Sequence, residues 1–199
     1  MKTLLKAVAL SVALSPFAAF AANVGKPAPD FTLNDLSGKP VKLSDFRGKH
    51  VILEWVNPEC PYVRKHYDSD NMQGLQKEFT AKNTVWLAIN STRPSHGDYK
   101  SPAELAAWMK QMNAAPSATM LDPDGKVGRA YDARTTPHMY VIDPKGQLAY
   151  AGAIDDKRST NPADIKTSKN HLRVAMGEAL AGKPVSTAST TAYGCTIKY

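Results

Sequence analysis

The sequence predicts an α/β fold, a mixed sheet with helices on both faces and a short hairpin ahead of it. Three observations predict it. Residues 51–56 and 84–90 are short, mainly apolar runs with β-branched members, the pattern of strands buried on both faces. Segments of helical spacing follow each run, which gives strand–helix–strand–helix. Residues 138–142 and 147–151 then flank Asp143-Pro-Lys-Gly146, a strong turn sequence, so a hairpin and a last helix complete the order.

Each element has its own signal. Residues 23–30 form a Pro-rich, extended lead-in. Phe31-Thr-Leu33 and Val41-Lys-Leu43 alternate apolar and polar residues around Asp35-Leu-Ser-Gly38-Lys-Pro, a hairpin pattern, and Ser44-Asp-Phe-Arg-Gly48 reads as a turn. After the first buried strand, a helix is expected over about 62–79, irregular around Ser69-Asp70-Asn71. Residues 91–100 are a polar loop with Pro94 and Gly97. Ser101, Pro102 and Glu104 supply an N-cap, a first-turn proline and a capping box, and Leu105, Trp108, Met109 and Met112 share the apolar face. A short strand at 118–121, a turn at Asp122-Pro-Asp-Gly125 and a brief helix over 126–132 lead to the hairpin. Residues 155–165 read as polar loop. The last helix, 169–180, is stopped by Gly182 and Pro184. Residues 186–192 are Ser/Thr/Ala-rich and read as an arm over the surface. There are no internal repeats.

The first residues are not part of this fold. A basic start, an apolar stretch over 7–14, a break at Ser15-Pro16 and Ala19-Phe20-Ala21 make a secretory signal peptide, too short to span a membrane permanently. Cleavage after Ala21 would leave 178 residues, enough for one domain, and would lower the formal charge from +7 to +5. The expected division is leader 1–21, domain 22–184 and arm 185–199, in a periplasmic protein with no stable membrane insertion. The positive residues are scattered among acids, so nucleic acid is a poor partner. There are two cysteines, Cys60 and Cys195, an even count that allows one bridge in an oxidising compartment and too few for a closed zinc site.

Cys60 is the residue with the clearest chemistry. It stands where a buried strand gives way, through Asn57-Pro58-Glu59, to a helix. A thiol there meets unpaired N–H groups and the positive end of the helix, and Arg64, Lys65 and His66 add charge within the first turns. The expected result is a lowered thiol pKa and a nucleophile. The alternative is a small buried apolar filler, but prolines on both sides and Glu59 are poor core material.

These residues carry a family likeness. Gly25-Lys-Pro-Ala-Pro-Asp-Phe-Thr-Leu33, Gly38-Lys-Pro-Val-Lys-Leu-Ser-Asp-Phe-Arg-Gly-Lys49, the following strand and Thr135-Thr-Pro-His-Met-Tyr-Val-Ile-Asp143 together resemble a thioredoxin-fold protein of the redoxin and peroxiredoxin-like branch. The resemblance implies a thioredoxin-like three-layer α/β/α sandwich. It places Cys60 at the first, attacking cysteine of the family's two-cysteine motif, whose second position is Val63, so the motif reads Cys-Pro-Tyr-Val. Exchange then needs another thiol, and Cys195 is the internal candidate. Three arrangements follow: a reversible Cys60–Cys195 bridge, a permanent staple of the arm, or two sulfurs that never meet. The resemblance makes Pro137 a cis-proline facing the thiol, with the Thr136 peptide offering hydrogen bonds to an extended substrate strand, and puts Pro61 and Tyr62 beside the substrate. Glu54 stands where the family carries a buried acid able to relay protons near neutral pH. Here Glu replaces the usual Asp, and the alternative is an outward Glu54 paired with a base such as Lys49.

The function expected is an exported thiol-disulfide oxidoreductase acting on protein or small-molecule disulfides, with an external thiol reductant or oxidant and no cofactor. The alternatives are a peroxidase acting on peroxide and a non-catalytic binding module. The peroxidase motif Pro-x-x-x-Thr-x-x-Cys is absent, since Asn57 and Leu53 stand at its Thr and Pro positions. Cys60, His66, His138 and Met139 are soft ligands that invite a copper reading, but a lone His beside a helix or strand end is more often a polar surface group, and no metal is expected.

Overall fold

A computed structural model describes residues 22–199; the expected leader, residues 1–21, lies outside the described residues. The hairpin is β1 (Thr32–Asn34) and β2 (Pro40–Lys42), paired antiparallel. The central sheet contains β3 (Val51–Trp55), β4 (Val85–Asn90), β5 (Ala118–Leu121), β7 (His138–Ile142) and β8 (Leu148–Gly152), in the order β5-β4-β3-β7-β8. β6 (Thr135–Thr136) and β9 (Cys195–Thr196) form a separate small ladder. The helices are α1 (Pro61–Tyr67), α2 (Asn71–Thr80), α3 (Pro102–Gln111), α4 (Lys126–Ala130) and α5 (His171–Leu180).

The sheet is mixed as expected: β3, β4 and β5 run parallel, and β7 and β8 join antiparallel. Every residue of β3 and β4 is buried, which is why those runs are continuous rather than alternating. The pleat divides them. Ile52, Val56, Trp86, Ala88, Met139 and Val141 pack under Val63, Leu75, Leu105 and Leu172 of the long helices. Val51, Leu53, Trp55, Leu87, Ile89 and Tyr140 pack on the other face against Phe31, Leu43, Val127, Tyr131 and Ile197. α4, the lead-in and the chain's end therefore close the second face. A fully enclosed Leu or Ile on either face contributes about 1.5–3 kcal/mol.

The helix expected over 62–79 is two helices. Ser69 Oγ donates back to Lys65 O at 2.7 Å, and Asp70 takes the left-handed conformation, φ 59°, so the first helix ends before the second begins. α3 starts as the sequence indicates: Ser101 N donates to Glu104 Oε2 at 2.8 Å and Glu104 N to Ser101 Oγ at 3.3 Å. α5 starts two residues later than expected because Asn170 is its cap, its side chain accepting from Arg173 N at 2.8 Å. Part of the expected 155–165 loop is a 3-10 turn, Pro162–Thr167.

The arm departs most from its expected course. It does not simply lie over the surface. Ser189 bridges to Ala151, β9 pairs with β6, and Tyr193 and Ile197 are buried in the two cores. Both are lone apolar residues in a polar tract, and no periodic pattern announces them.

Candidate active site

The turn before the thiol is built by Asn57. Its side-chain oxygen accepts from Glu59 N at 2.8 Å, its backbone carbonyl accepts from Cys60 N at 3.1 Å, and its side-chain amide reaches Thr92 Oγ1 at 3.3 Å. The chain thereby reverses from β3 into α1, with Cys60 as N-cap and Pro61 at the first helical position. The Cys60 side chain makes no cap bond to the helix. Its Sγ instead donates to Thr136 O at 3.0 Å.

The Thr136–Pro137 peptide is cis, and both residues are buried. β6 runs up to this bend, and β9 pairs with it antiparallel, Thr136 opposite Cys195 and Thr135 opposite Thr196. Cys60 is 1% exposed, Cys195 is half-buried, and both are free thiols. Burial first, then the Cys60 sulfur against it, pushes the Cys195 thiol up to about 12. Both thiols thus converge on Thr136, Cys195 as its ladder partner and Cys60 through the Thr136 carbonyl. The thiol is enclosed yet aimed at the cis-proline segment, and the arm lies over it.

Glu54 points into the helical side of the sheet and is fully buried; the outward alternative with Lys49 is wrong. Tyr67 OH donates to one carboxylate oxygen at 2.8 Å, while Trp86 Nε1 at 2.8 Å and Gln76 Nε2 at 3.2 Å donate to the other. Burial raises its pKa to about 7 against the lowering effect of those three donors. It can exchange a proton near neutral pH.

The positive charge expected around Cys60 is committed elsewhere. Arg64 pairs with Asp68 at 3.6 Å on the surface. Lys65 is 1% exposed; its Nζ lies 3.3 Å from Asp155 Oδ2, donates to Lys157 O at 2.9 Å and sits 3.5 Å from Tyr193 OH. Tyr193 OH donates to the other Asp155 oxygen. His66 is fully buried, which corrects its reading as a surface group. Burial, with Lys65 nearby, lowers it to about 4, so it adds no charge near neutral pH. Lys, Asp and Tyr at these positions carried no signal in the sequence, because a buried lysine is rare and becomes legible only with its partner.

Pro61 is exposed, and Tyr62 is half-buried edge-on to Tyr193, ring centroids 5.8 Å apart. His138 stacks on Tyr140 at 4.5 Å, whereas Met139 belongs to the opposite face of the sheet, so these neighbours diverge rather than share a ligand. Gly194 is a further site residue missed by sequence: a Cβ there would lie 1.9 Å from Thr136 O. Its only signal was a glycine beside a cysteine in a Ser/Thr-rich arm.

Comparison with known proteins bears on the family and the fold. The chain is similar to the thiol-disulfide oxidoreductase ResA of Bacillus subtilis, 28% identical over 131 residues, which are 62% of this chain and 64% of that protein. It thus spans just under two thirds of that relative's length. The thioredoxin-like protein YneN of Bacillus subtilis is 29% identical over 143 residues, 71% of this chain and 79% of that protein. An uncharacterized conserved protein from Geobacillus kaustophilus has the same fold with TM-score 0.76 and 27% identity, over 89% of this chain and 92% of that one. The thioredoxin domain of a thiol-disulfide oxidoreductase from Bacteroides vulgatus shares the fold at TM-score 0.53 and 22% identity, over 74% of this chain and 98% of that one. The AhpC/TSA family pattern matches residues 24–151, which take in Cys60 and Pro137 and stop short of the arm with Cys195. With that match over more than half its length, the chain belongs to the AhpC/TSA family, on its thioredoxin-fold redoxin branch.

Proposed function

We propose that this protein is a thiol-disulfide oxidoreductase that cycles between a Cys60/Cys195 dithiol and a Cys60–Cys195 bridge. The observation that carries the reading is the convergence of both cysteines on Thr136 of the cis Thr136–Pro137 peptide, Cys195 as its strand partner and Cys60 Sγ on its carbonyl. Cys60 attacks a substrate disulfide and forms a mixed disulfide. Cys195 then attacks the Cys60 sulfur and releases the second substrate thiol, the task Val63 cannot perform. While the dithiol persists, the high pKa of Cys195 disfavours it as the first attacker. Glu54 is the buried acid that holds or releases a proton during the cycle. Pro61 and Tyr62 border the path to the sulfurs, and Thr136 and Pro137 orient them.

The location proposed is the periplasm, reached through the 1–21 leader, with the 22–184 domain and the 185–199 arm as the mature protein. Among the described residues no helix is long and apolar enough to cross a membrane. N-terminal sequencing of exported protein should begin at Ala22; a start at Met1 overturns this assignment.

The tests of function are mixed-disulfide trapping with single-cysteine variants and a redox titration of the unsubstituted chain. Cys195→Ser should accumulate a mixed disulfide on Cys60, and Cys60→Ser should lose turnover. The couple should titrate above about −300 mV; a lower potential identifies a permanent staple instead.

A further inference from the structure

The arm fills a position that exchange with a protein substrate would need. β6 ends at the cis peptide and offers one free edge, where an extended segment can add as a strand through main-chain hydrogen bonds. In this chain that edge is taken. Thr136 faces Cys195 in an antiparallel ladder, and Ile197 N continues it to Arg134 O at 3.0 Å. Gly194 lies so close to the Thr136 carbonyl that no side chain fits between them. The result is an extended, cysteine-bearing segment alongside Thr136, whose carbonyl also accepts from Cys60 Sγ.

The arm is fastened on both sides of Cys195. Ahead of it, Thr190 Oγ1 lies 2.6 Å from Tyr150 OH and accepts from Ala153 N at 2.9 Å, and Tyr193 is enclosed with Asp155 and Lys65. Beyond it, Arg93 N donates to Lys198 O at 2.8 Å and Tyr199 OH to Ala133 O at 2.6 Å. A polypeptide disulfide must displace several of these contacts to pair with Thr136. A small disulfide makes no strand pairing with Thr136 and needs only a local opening over the enclosed Cys60 sulfur.

We propose that residues 193–197 act as the specificity element of this site, occupying the strand position beside the cis-proline so that its substrates are low-molecular-weight disulfides rather than extended polypeptide ones. The proposal rests on the oxidoreductase reading above. The Cys60 thiolate attacks one sulfur of RSSR, giving Cys60–S–S–R and RS⁻. Cys195, losing its proton, attacks the Cys60 sulfur and expels the second RS⁻. The two thiol protons of the pair end on two RSH, and two electrons pass from the pair to the substrate.

The test uses Cys195→Ser, in which Cys60 is the remaining thiol and the arm is retained, with and without Gly194→Ala, which forces the arm off the Thr136 carbonyl. Mixed-disulfide formation on Cys60 is timed with bis(2-hydroxyethyl) disulfide and with native, disulfide-bonded insulin. With the arm docked, the small disulfide should react faster, and Gly194→Ala should shrink that preference about tenfold, the scale of one or two net hydrogen bonds. An unchanged preference overturns the proposal. Should neither probe react at Cys60 in either variant, the oxidoreductase reading falls and the proposal with it. In the unsubstituted chain, amide exchange at Cys195 and Ile197 should be strongly protected; exchange at the rate of free peptide overturns the proposal independently of any variant.

Discussion

α1 contributes to two buried polar sites that handle charge in opposite ways. Tyr67, its last residue, helps enclose Glu54, whose three donors, Tyr67, Gln76 and Trp86, are all neutral. Lys65, two residues earlier, meets a full opposite charge in Asp155. With no cation to hold its charge, Glu54 yields to burial and titrates near 7. The Lys65–Asp155 pair is compensated instead, and Tyr193 ties the arm to it. The first site can gain and lose a proton during a redox cycle, while the second is suited to holding a segment still.

The largest effect should come from breaking the compensated site. Asp155→Asn leaves the Lys65 ammonium buried without its counter-charge and should lower unfolding stability by about 3–5 kcal/mol in denaturant titration. It should also speed alkylation of Cys195, because the arm loses its anchor. A loss near zero would show that Lys65 reaches solvent, and the contrast between the two sites would vanish.

The next effect depends on pH and belongs to Glu54. Its pKa is near 7 in the fold and 4.5 in the reference state, so the folded chain binds this proton more tightly than the unfolded chain. The resulting stability is complete below pH 4.5 and is lost as pH rises to about 7, in total about 3 kcal/mol. Glu54→Gln should remove that slope between pH 4.5 and 7.5. His66 works in the other direction: lowered to about 4 by burial, its contribution is present above 6.5 and lost as pH falls through 4. A wild-type minus Glu54→Gln difference isolates the carboxyl, and a flat difference would mean that Glu54 is charged throughout.

Tyr193→Phe keeps the ring but removes the hydroxyl from Asp155. It should cost about 1.5–3 kcal/mol, as for a hydrogen bond to a charged group. Its distinguishing readout is a shift in the Cys60–Cys195 equilibrium against glutathione toward the dithiol, since a looser arm lowers the effective concentration of Cys195. The smallest effect should be that of Tyr67→Phe, about 1 kcal/mol, with the Glu54 titration moved upward because one lowering donor is gone.

How much of this was legible depends on distance along the chain. Cys60 at a strand–helix joint, the Ser101 cap and the Asp143–Gly146 turn are set by neighbouring residues, and the sequence placed each of them. Thr136–Pro137 was legible through resemblance, because a cis-proline leaves no periodic trace. Glu54 was legible as a position but not as an environment. Its enclosure needed Trp86 from β4 and Gln76 from α2. The charge argument for Arg64, Lys65 and His66 failed because it counted residues near Cys60 in sequence without their partners. Asp155 is 90 residues from Lys65, and Tyr193 is 128.

By itself the chain's order of apolar runs, caps and turns determined an α/β sandwich and put one cysteine at the head of a helix, since periods of 2 and 3.6 are local properties. Tertiary structure alone decided that the arm returns to pair with Thr136, that Cys195 and Cys60 converge on that residue, and that Lys65 is inside. Those outcomes depend on which distant groups satisfy a buried charge or a free strand edge, and no local pattern encodes that choice.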